Sequence, residues 1–331
     1  METRSLGSTG PDVSALGLGL MGMSDFYGPA DRAESIATIH AALDAGVTLL
    51  DTGDFYGMGA NELLLRDALQ GRRREDVQIS VKFGALRDAR MAFNGYDARP
   101  LAVKNFAAYS LVRLGTDHID VYRPARLDPA VPIEETVGAI KELIEAGDVR
   151  HIGLSEVSAE TLRRAHAVHP IADLQIEYSL LSRGIEADIL PTARELGVSI
   201  TAYGVLSRGL LSGHWSADRA TDATDFRSRS PRFRRENLDH NLALVEALRT
   251  VADERGAGVA QVAIAWVLSR GEDIVPLVGA RRRERLSEAL GALELELTTG
   301  DLAAIEQAIP AGSAAGERYP EAQVAHMDSE R

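Results

Sequence analysis

The chain has 331 residues, 45% of them hydrophobic, and its 36 Lys and Arg are outnumbered by 49 Asp and Glu, giving a net charge of −13. That balance argues against a broad nucleic-acid or anionic-membrane surface, and the lack of cysteine excludes disulfides and thiolate chemistry. No apolar run approaches the roughly 20 residues of a membrane span and METRSLGSTG has no apolar signal core, so the expected location is the cytoplasm. In chain order, RSLGSTGPDVS predicts a hairpin turning at Gly-Ser-Thr-Gly. Eight β-rich runs follow: 13–20, 47–52, 77–83, 118–123, 151–155, 172–178, 198–204 and 274–280. Between them lie patterns such as ADRAESIATIHAALDAG, NELLLRDALQG, RPLAVKNFAAYSLVRLG and IEETVGAIKELIEAG, apolar at helical spacing and closed by Gly. Eight βα units predict an α/β fold, a (β/α)8 TIM barrel with the hairpin plugging its bottom, in one domain over 1–331. The stretch 207–237 is long and polar enough to predict a functional flap or mobile loop.

On that frame the unusual residues share one end. Asp51 ends the second strand, Tyr56 lies in the loop after it, Lys82 closes the third and Ala125 follows the fourth. Catalytic groups of such barrels come from strand C-termini. Alone, a loop tyrosine is usually a packed ring and a strand-end lysine usually reaches solvent. Together they read as a tuned proton donor, in which an ammonium moves the phenol pKa down from roughly 10 and a carboxylate holds that ammonium charged.

The motifs LGLGLMGMS, LLDTGDFYG, VKFG, IDVYRPARLDP, RHIGLSEVS, LQIEYSLLSR, ITAYGVLSRGLLSG, VAIAWVLSRG and LVGARRRERLSEALGAL, in this order, resemble the aldo-keto reductase family along nearly the whole chain. The resemblance implies a barrel with a basal hairpin, NADPH bound extended without a Rossmann domain, and a small-molecule carbonyl substrate. It implies catalytic roles for Asp51, Tyr56 and Lys82, with Tyr56 as general acid in reduction and general base in oxidation. Gly22 and Met23 match a segment whose backbone nears the cofactor. Ser155 and Gln175 match residues binding the nicotinamide carboxamide, although Glu156 stands where Asn usually follows that Ser. Tyr203 matches the ring stacked on the nicotinamide; Leu206, Ser207, Gly209 and Leu210 match the loop crossing the pyrophosphate; Gly279, Arg281, Arg285 and Glu288 match the adenosine end. No metal site is expected.

ARRRER at 280–285 opens a helix in an acidic chain, where arginine opposes the helix dipole, so a nearby anion is expected and NADPH is favoured over NADH. The run RSRSPRFRRE at 227–236 reads as a solvated loop. The departure from the family is Ala125, which occupies the place of a histidine that hydrogen-bonds the carbonyl. None of the eight histidines slides into that slot; His118, at the other end of the strand, is expected to cap or pack the barrel bottom. Losing one such donor costs about 3–4 kcal/mol. The chain is therefore a weak reductase or is compensated, either by Arg123 or Arg126 or by a substrate carrying its own donor, such as pyridoxal. PARLDP looks somewhat like the pyridoxal reductase branch. Two other classes stay open: an NADPH-binding sensor or regulatory protein with little turnover, and a Schiff-base aldolase using Lys82. Specificity is expected from 25–29, 86–99, 207–237 and the C-terminal RYPEAQVAHMDSER, with Trp215 and Tyr319 as pocket walls or packed aromatics. Oligomeric state is not legible.

Overall fold

The computed structural model describes residues 1–24, 26–219, 225–325 and 327–330. Parts of three expected specificity segments (residues 25, 220–224, 326 and 331) lie outside the described residues. The strands are β1 Thr3–Ser5, β2 Asp12–Ser14, β3 Gly17–Gly19, β4 Leu49–Gly53, β5 Gln78–Phe83, β6 Ala85–Arg87, β7 Phe93–Tyr96, β8 Ile119–Pro124, β9 Val149–Ser155, β10 Ile171–Glu177, β11 Ser199–Tyr203 and β12 Ile274–Gly279. β3, β4, β5 and β8 to β12 close into a parallel barrel in that order, with β12 pairing back onto β3. Each expected strand is present, but the run 13–20 divides in two. Ser14 makes the corner: its Oγ donates to Leu16 O at 2.7 Å and accepts from Thr48 N at 2.9 Å, so β2 leaves for the hairpin and β3 enters the barrel.

The hairpin pairs Thr3 with Ser14 and Ser5 with Asp12. Its turn requires Gly7, which has φ +68 and where a Cβ would lie 2.3 Å from Ala172 O. Gly7 N donates to Ser199 Oγ at 2.7 Å and Ser8 N to Gly197 O at 2.8 Å, at the start of β11. Leu6 and Val13 then meet Leu49, Val121 and Val275 inside the barrel, which fills its lower end with packed apolar side chains. His118 lies at this end, bonded to Asp117.

Around the barrel run α1 Arg32–Asp44, α2 Ala60–Ala68, α3 Pro100–Leu114, α4 Ile133–Ala146, α5 Ala159–Val168, α6 Ile189–Leu196, α7 Arg235–Glu254, α8 Val259–Leu268, α9 Arg283–Leu290 and α10 Thr299–Ala308, followed by the short α11 Glu321–Val324. Their ends follow local chemistry. Asp31 caps α1 by accepting from Glu34 N at 2.8 Å, Pro100 opens α3, and Gly115 and Gly147 end α3 and α4 with positive φ. The segment 86–99 holds the antiparallel pair β6 and β7 beside the mouth. Among the described residues no helix is long and apolar enough to cross a membrane. After α10 the chain returns to the C-terminal end of the barrel, where the conspicuous residues gather.

Candidate active site

β4 and β5 pair Asp51 with Ser80 and Gly53 with Lys82, so the carboxylate and ammonium rise from neighbouring strands. Lys82 Nζ contacts Asp51 Oδ1, while Asp51 Oδ2 accepts from Ser80 Oγ at 2.9 Å and Gln175 Nε2 at 2.8 Å. Asp51 is 2% and Lys82 5% exposed. Burial lowers the Lys82 pKa to about 8, against the pull of Asp51 and with Arg123 and Arg126 adding to the fall. Tyr56 follows β4 at the start of a turn whose Gly57, Met58 and Gly59 all have positive φ, reversing the chain into α2. Its buried ring lies 5.2 Å from Lys82 Nζ.

The Tyr56 phenol is pushed well above its ordinary pKa, by burial first and then by the charge of Asp51, while Arg126 pulls it down. This reverses the expectation that Lys82 draws the phenol toward tyrosinate. Asp51 sits in contact with the ammonium and offsets its field, and the buried site disfavours a phenolate. Tyr56 therefore keeps its proton at neutral pH.

β8 lies beside β5, pairing Lys82 with Arg123 and Phe83 with Pro124, and Ala125 N donates to Phe83 O at 2.8 Å. Arg123 does not enter a substrate pocket. It is fully buried beneath the mouth, with Nη1 2.9 Å from Asp173 Oδ2 and Nη2 donating to Ser80 Oγ at 2.9 Å. Arg126 is half-buried; its Nη1 donates to Ala125 O at 2.6 Å and Ser155 Oγ at 3.3 Å, and its Nη2 to Tyr319 OH at 3.4 Å. Trp215, expected as a pocket wall or a packed aromatic, is a packed ring. It packs edge-on against Phe233 under Arg219 and Arg227, in the wall of a cavity of about 150 Å³ lined by Ala217, Ser228 and Leu238.

Ser155 and Gln175, ending β9 and lying in β10, are buried side by side in register, and Tyr203 ends β11. Glu156, fully buried and at φ +53, is a hub. It accepts from Tyr203 OH at 2.6 Å, Arg318 Nη1 at 2.9 Å and Nη2 at 2.5 Å, Ser329 Oγ at 2.6 Å and Glu177 N at 3.0 Å. Burial works to raise its pKa, and the Arg318 charge more than offsets that, holding the carboxyl well below the usual range. Tyr203 OH also shares a hydrogen bond with Tyr319 OH at 2.8 Å. Sequence reasoning missed Arg318 and Ser329, for which no local pattern signals a partner so far away in the chain.

Ser207, Arg208 and Gly209 carry successive positive φ angles, a tight left-handed turn in which Ser207 N donates to Gly204 O at 2.6 Å and Gly209 N to Leu206 O at 2.8 Å. They sit between Leu206 and the buried Leu210. Gly22 packs against Tyr27 and Arg281, where a Cβ would approach to 3.3 and 3.4 Å, while Met23 is buried in the core. Beyond Gly279, Arg281 Nη1 donates to Tyr27 O at 3.0 Å and Pro29 O at 3.2 Å. Arg285 is largely exposed and paired with Glu288 at 2.9 Å, which also meets His214. The run 227–236 is not simply solvated. Arg227 and Arg232 are buried, the first clasped by Asp225, the second donating to Ser182 Oγ at 2.8 Å and Ser207 Oγ at 3.2 Å. Burial and the charge of Arg227 both lower the Arg281 pKa. A basic run in an acidic chain was the signal for Arg227.

A sequence profile described as the aldo/keto reductase family matches residues 15–310. A probable aldo-keto reductase from Glycine max is 42% identical over 320 residues, covering 95% of this chain and 90% of the relative. The glycerol dehydrogenase of Gluconobacter oxydans superposes with a TM-score of 0.84 at 29% identity, covering 92% of this chain and 94% of that one. An aldo-keto reductase of Bacillus halodurans in its holo form gives 0.77 at 26% identity, covering 96% and 98%. With the barrel, the mouth cluster and these matches in agreement, the chain belongs to the aldo-keto reductase family, whose members carry out NAD(P)H-dependent carbonyl chemistry.

Proposed function

We propose that the protein reduces an aldehyde or ketone to the alcohol with NADPH, with Tyr56 as proton donor, Lys82 sustaining its charge balance and Asp51 orienting Lys82. The observation that carries this reading is the buried meeting of Asp51, Lys82 and Tyr56 from separate parts of the sequence at the strand C-termini. When bound, the cofactor supplies a hydride to the carbonyl carbon. Tyr56, holding its proton at neutral pH, delivers it to the developing alkoxide oxygen. Tyr56→Phe is expected to lose NADPH oxidation while cofactor fluorescence titration gives the parent Kd; undiminished turnover would refute the assignment.

The residues present fit the cofactor. Arg281, Arg227 and Arg219 bring three charges to one end of the cleft against the carboxylate of Asp225, an excess that suits a phosphate, and the turn over 206–210 matches the family's pyrophosphate segment. Ser155 would serve the carboxamide, Tyr203 the nicotinamide face, and Gly22, Met23, Leu206, Leu210, Gly279, Arg285 and Glu288 the remaining length. Gln175 adds a bond to Asp51 and so ties that end to the proton donor. Arg281→Ala is expected to narrow the preference for NADPH over NADH, and equal losses for both cofactors would count against a 2′-phosphate contact.

For the substrate we favour an aromatic aldehyde, pyridoxal among them, because Tyr96 and Tyr319 frame the mouth around Arg126 and a substrate with its own ortho hydroxyl needs less help beside Ala125. If salicylaldehyde and benzaldehyde share one kcat/KM, that part fails. The cytoplasm is the compartment we assign, on a cysteine-free chain. Ala125 also favours a second reading, a cofactor-binding sensor with little turnover, under which parent and Tyr56→Phe would be equally slow.

A further inference from the structure

We propose that Arg126 is a catalytic residue: its guanidinium donates to the substrate carbonyl oxygen and stabilises the alkoxide, doing the work of the imidazole absent at Ala125. This rests on the reductase reading above. Of the two arginines beside Ala125, Arg123 is disqualified by its surroundings. It is fully buried, paired with Asp173 and bonded to Ser80, with no path to a ligand at the mouth. Arg126 differs on each count. It is half-buried at the mouth and, among the described residues, has no carboxylate within 4.0 Å. Its hydrogen bonds go to a carbonyl and two hydroxyls, Ala125 O, Ser155 Oγ and Tyr319 OH, all neutral acceptors. A sheltered guanidinium hydrogen-bonded only to neutral groups, with the charge of Glu156 acting on it from beyond 4.0 Å, retains capacity to meet an anion. Its charge also acts on both Tyr56 and Lys82, so it lies near the reacting end of the cleft.

The chemistry balances without a further reagent. The hydride forms the new C–H bond, the carbonyl π pair moves onto oxygen beside Arg126, and Tyr56 gives that oxygen its proton; Arg126 keeps its own protons throughout. An arginine in this place, unlike a histidine, does not titrate in the working range, so the reductase should show no limb from an imidazole.

The test uses the full chain with NADPH and two probes, benzaldehyde and salicylaldehyde. Arg126→Met is expected to lower kcat for benzaldehyde by roughly 10²–10³, with the NADPH Kd from fluorescence titration unchanged. Salicylaldehyde, which brings its own donor, should lose less. Arg126→Lys should recover part of the rate, as should free guanidinium added to Arg126→Gly. Adding Ala125→His to Arg126→Met should restore turnover together with a new pH limb from the imidazole. The proposal is overturned if Arg126→Met keeps the parent kcat, if its loss lies wholly in NADPH affinity, or if neither Lys nor guanidinium recovers any rate. Tyr56→Phe separates the two readings: should it remain active, the reductase assignment itself fails, whereas an inactive Tyr56→Phe beside a fully active Arg126→Met sinks only the role of Arg126.

Discussion

Arg318→Met removes the cation from a carboxylate that has no access to water. Glu156 is fully buried, and Arg318 meets both of its oxygens. Breaking a buried pair from one side costs about 3–5 kcal/mol. Three neutral donors stay on Glu156, from Tyr203, Ser329 and the Glu177 backbone, and the neighbouring Glu177 keeps Arg208 at 3.2 Å and Arg232 at 3.5 Å. The expected loss is therefore at the lower end, about 3 kcal/mol. Without that cation burial outweighs the more distant charge of Arg126 and raises the Glu156 pKa, so the folded variant takes up a proton that the unfolded chain releases. Its deficit should consequently be largest on the alkaline side and shrink as pH falls toward 5. Urea unfolding followed by the emission of Trp215 and Trp266, at pH 5 and pH 8, measures both effects. Adding Glu156→Gln should recover much of the loss. A deficit under about 1 kcal/mol, equal at both pH values, would refute the claim that Glu156 depends on this charge.

Other outcomes follow from the same electrostatics. The rate of carbonyl reduction should decline on the alkaline side with an apparent pKa near 8 as the buried Lys82 discharges, read from a pH profile of kcat. Arg123→Met should move that limb upward, because it removes a cation that depresses Lys82, and should cost about 3–5 kcal/mol by leaving Asp173 unpaired. Burial, with the charge of Glu62, raises Asp54 to about 7. A carboxyl raised in the folded state contributes stability below its unfolded pKa and loses it as pH rises through the folded value. The full shift is worth on the order of 4 kcal/mol, and partial exposure brings it to about 2. Asp54→Asn should accordingly unfold at higher urea than the parent at pH 8, by a smaller margin at pH 5, and at the same urea only below the ordinary carboxyl pKa of 3.8.

Much of the barrel is legible because its signals are local. The β-rich runs between helical patterns, the Gly stops at Gly115 and Gly147 and the GSTG turn each specify geometry within a few residues. The division of 13–20 was not legible, since it depends on Ser14 meeting Thr48 across the fold. At the mouth, strand-end position brings Asp51, Tyr56 and Lys82 together. It does not reveal direction of charge: the phenol pKa rises because Tyr56 is buried and feels the charge of Asp51, three-dimensional facts. Alternation parity allowed Arg123 to point inward, and it does, but onto Asp173 rather than a ligand. Glu156 looked like a mere departure from a family pattern until Arg318 closed on it from the far end of the chain.

The hub at Glu156 also binds the mouth of the barrel to a stretch of sequence beyond its last strand. The last barrel strand is complete at Gly279, whereas Arg318 and Ser329 are translated later. A chain shortened after α10 would thus keep every barrel strand yet lack both the counter-charge of Glu156 and the Tyr319 neighbour of the Tyr203 hydroxyl. The ring of strands and the finish of its mouth are then specified by separate stretches of the chain.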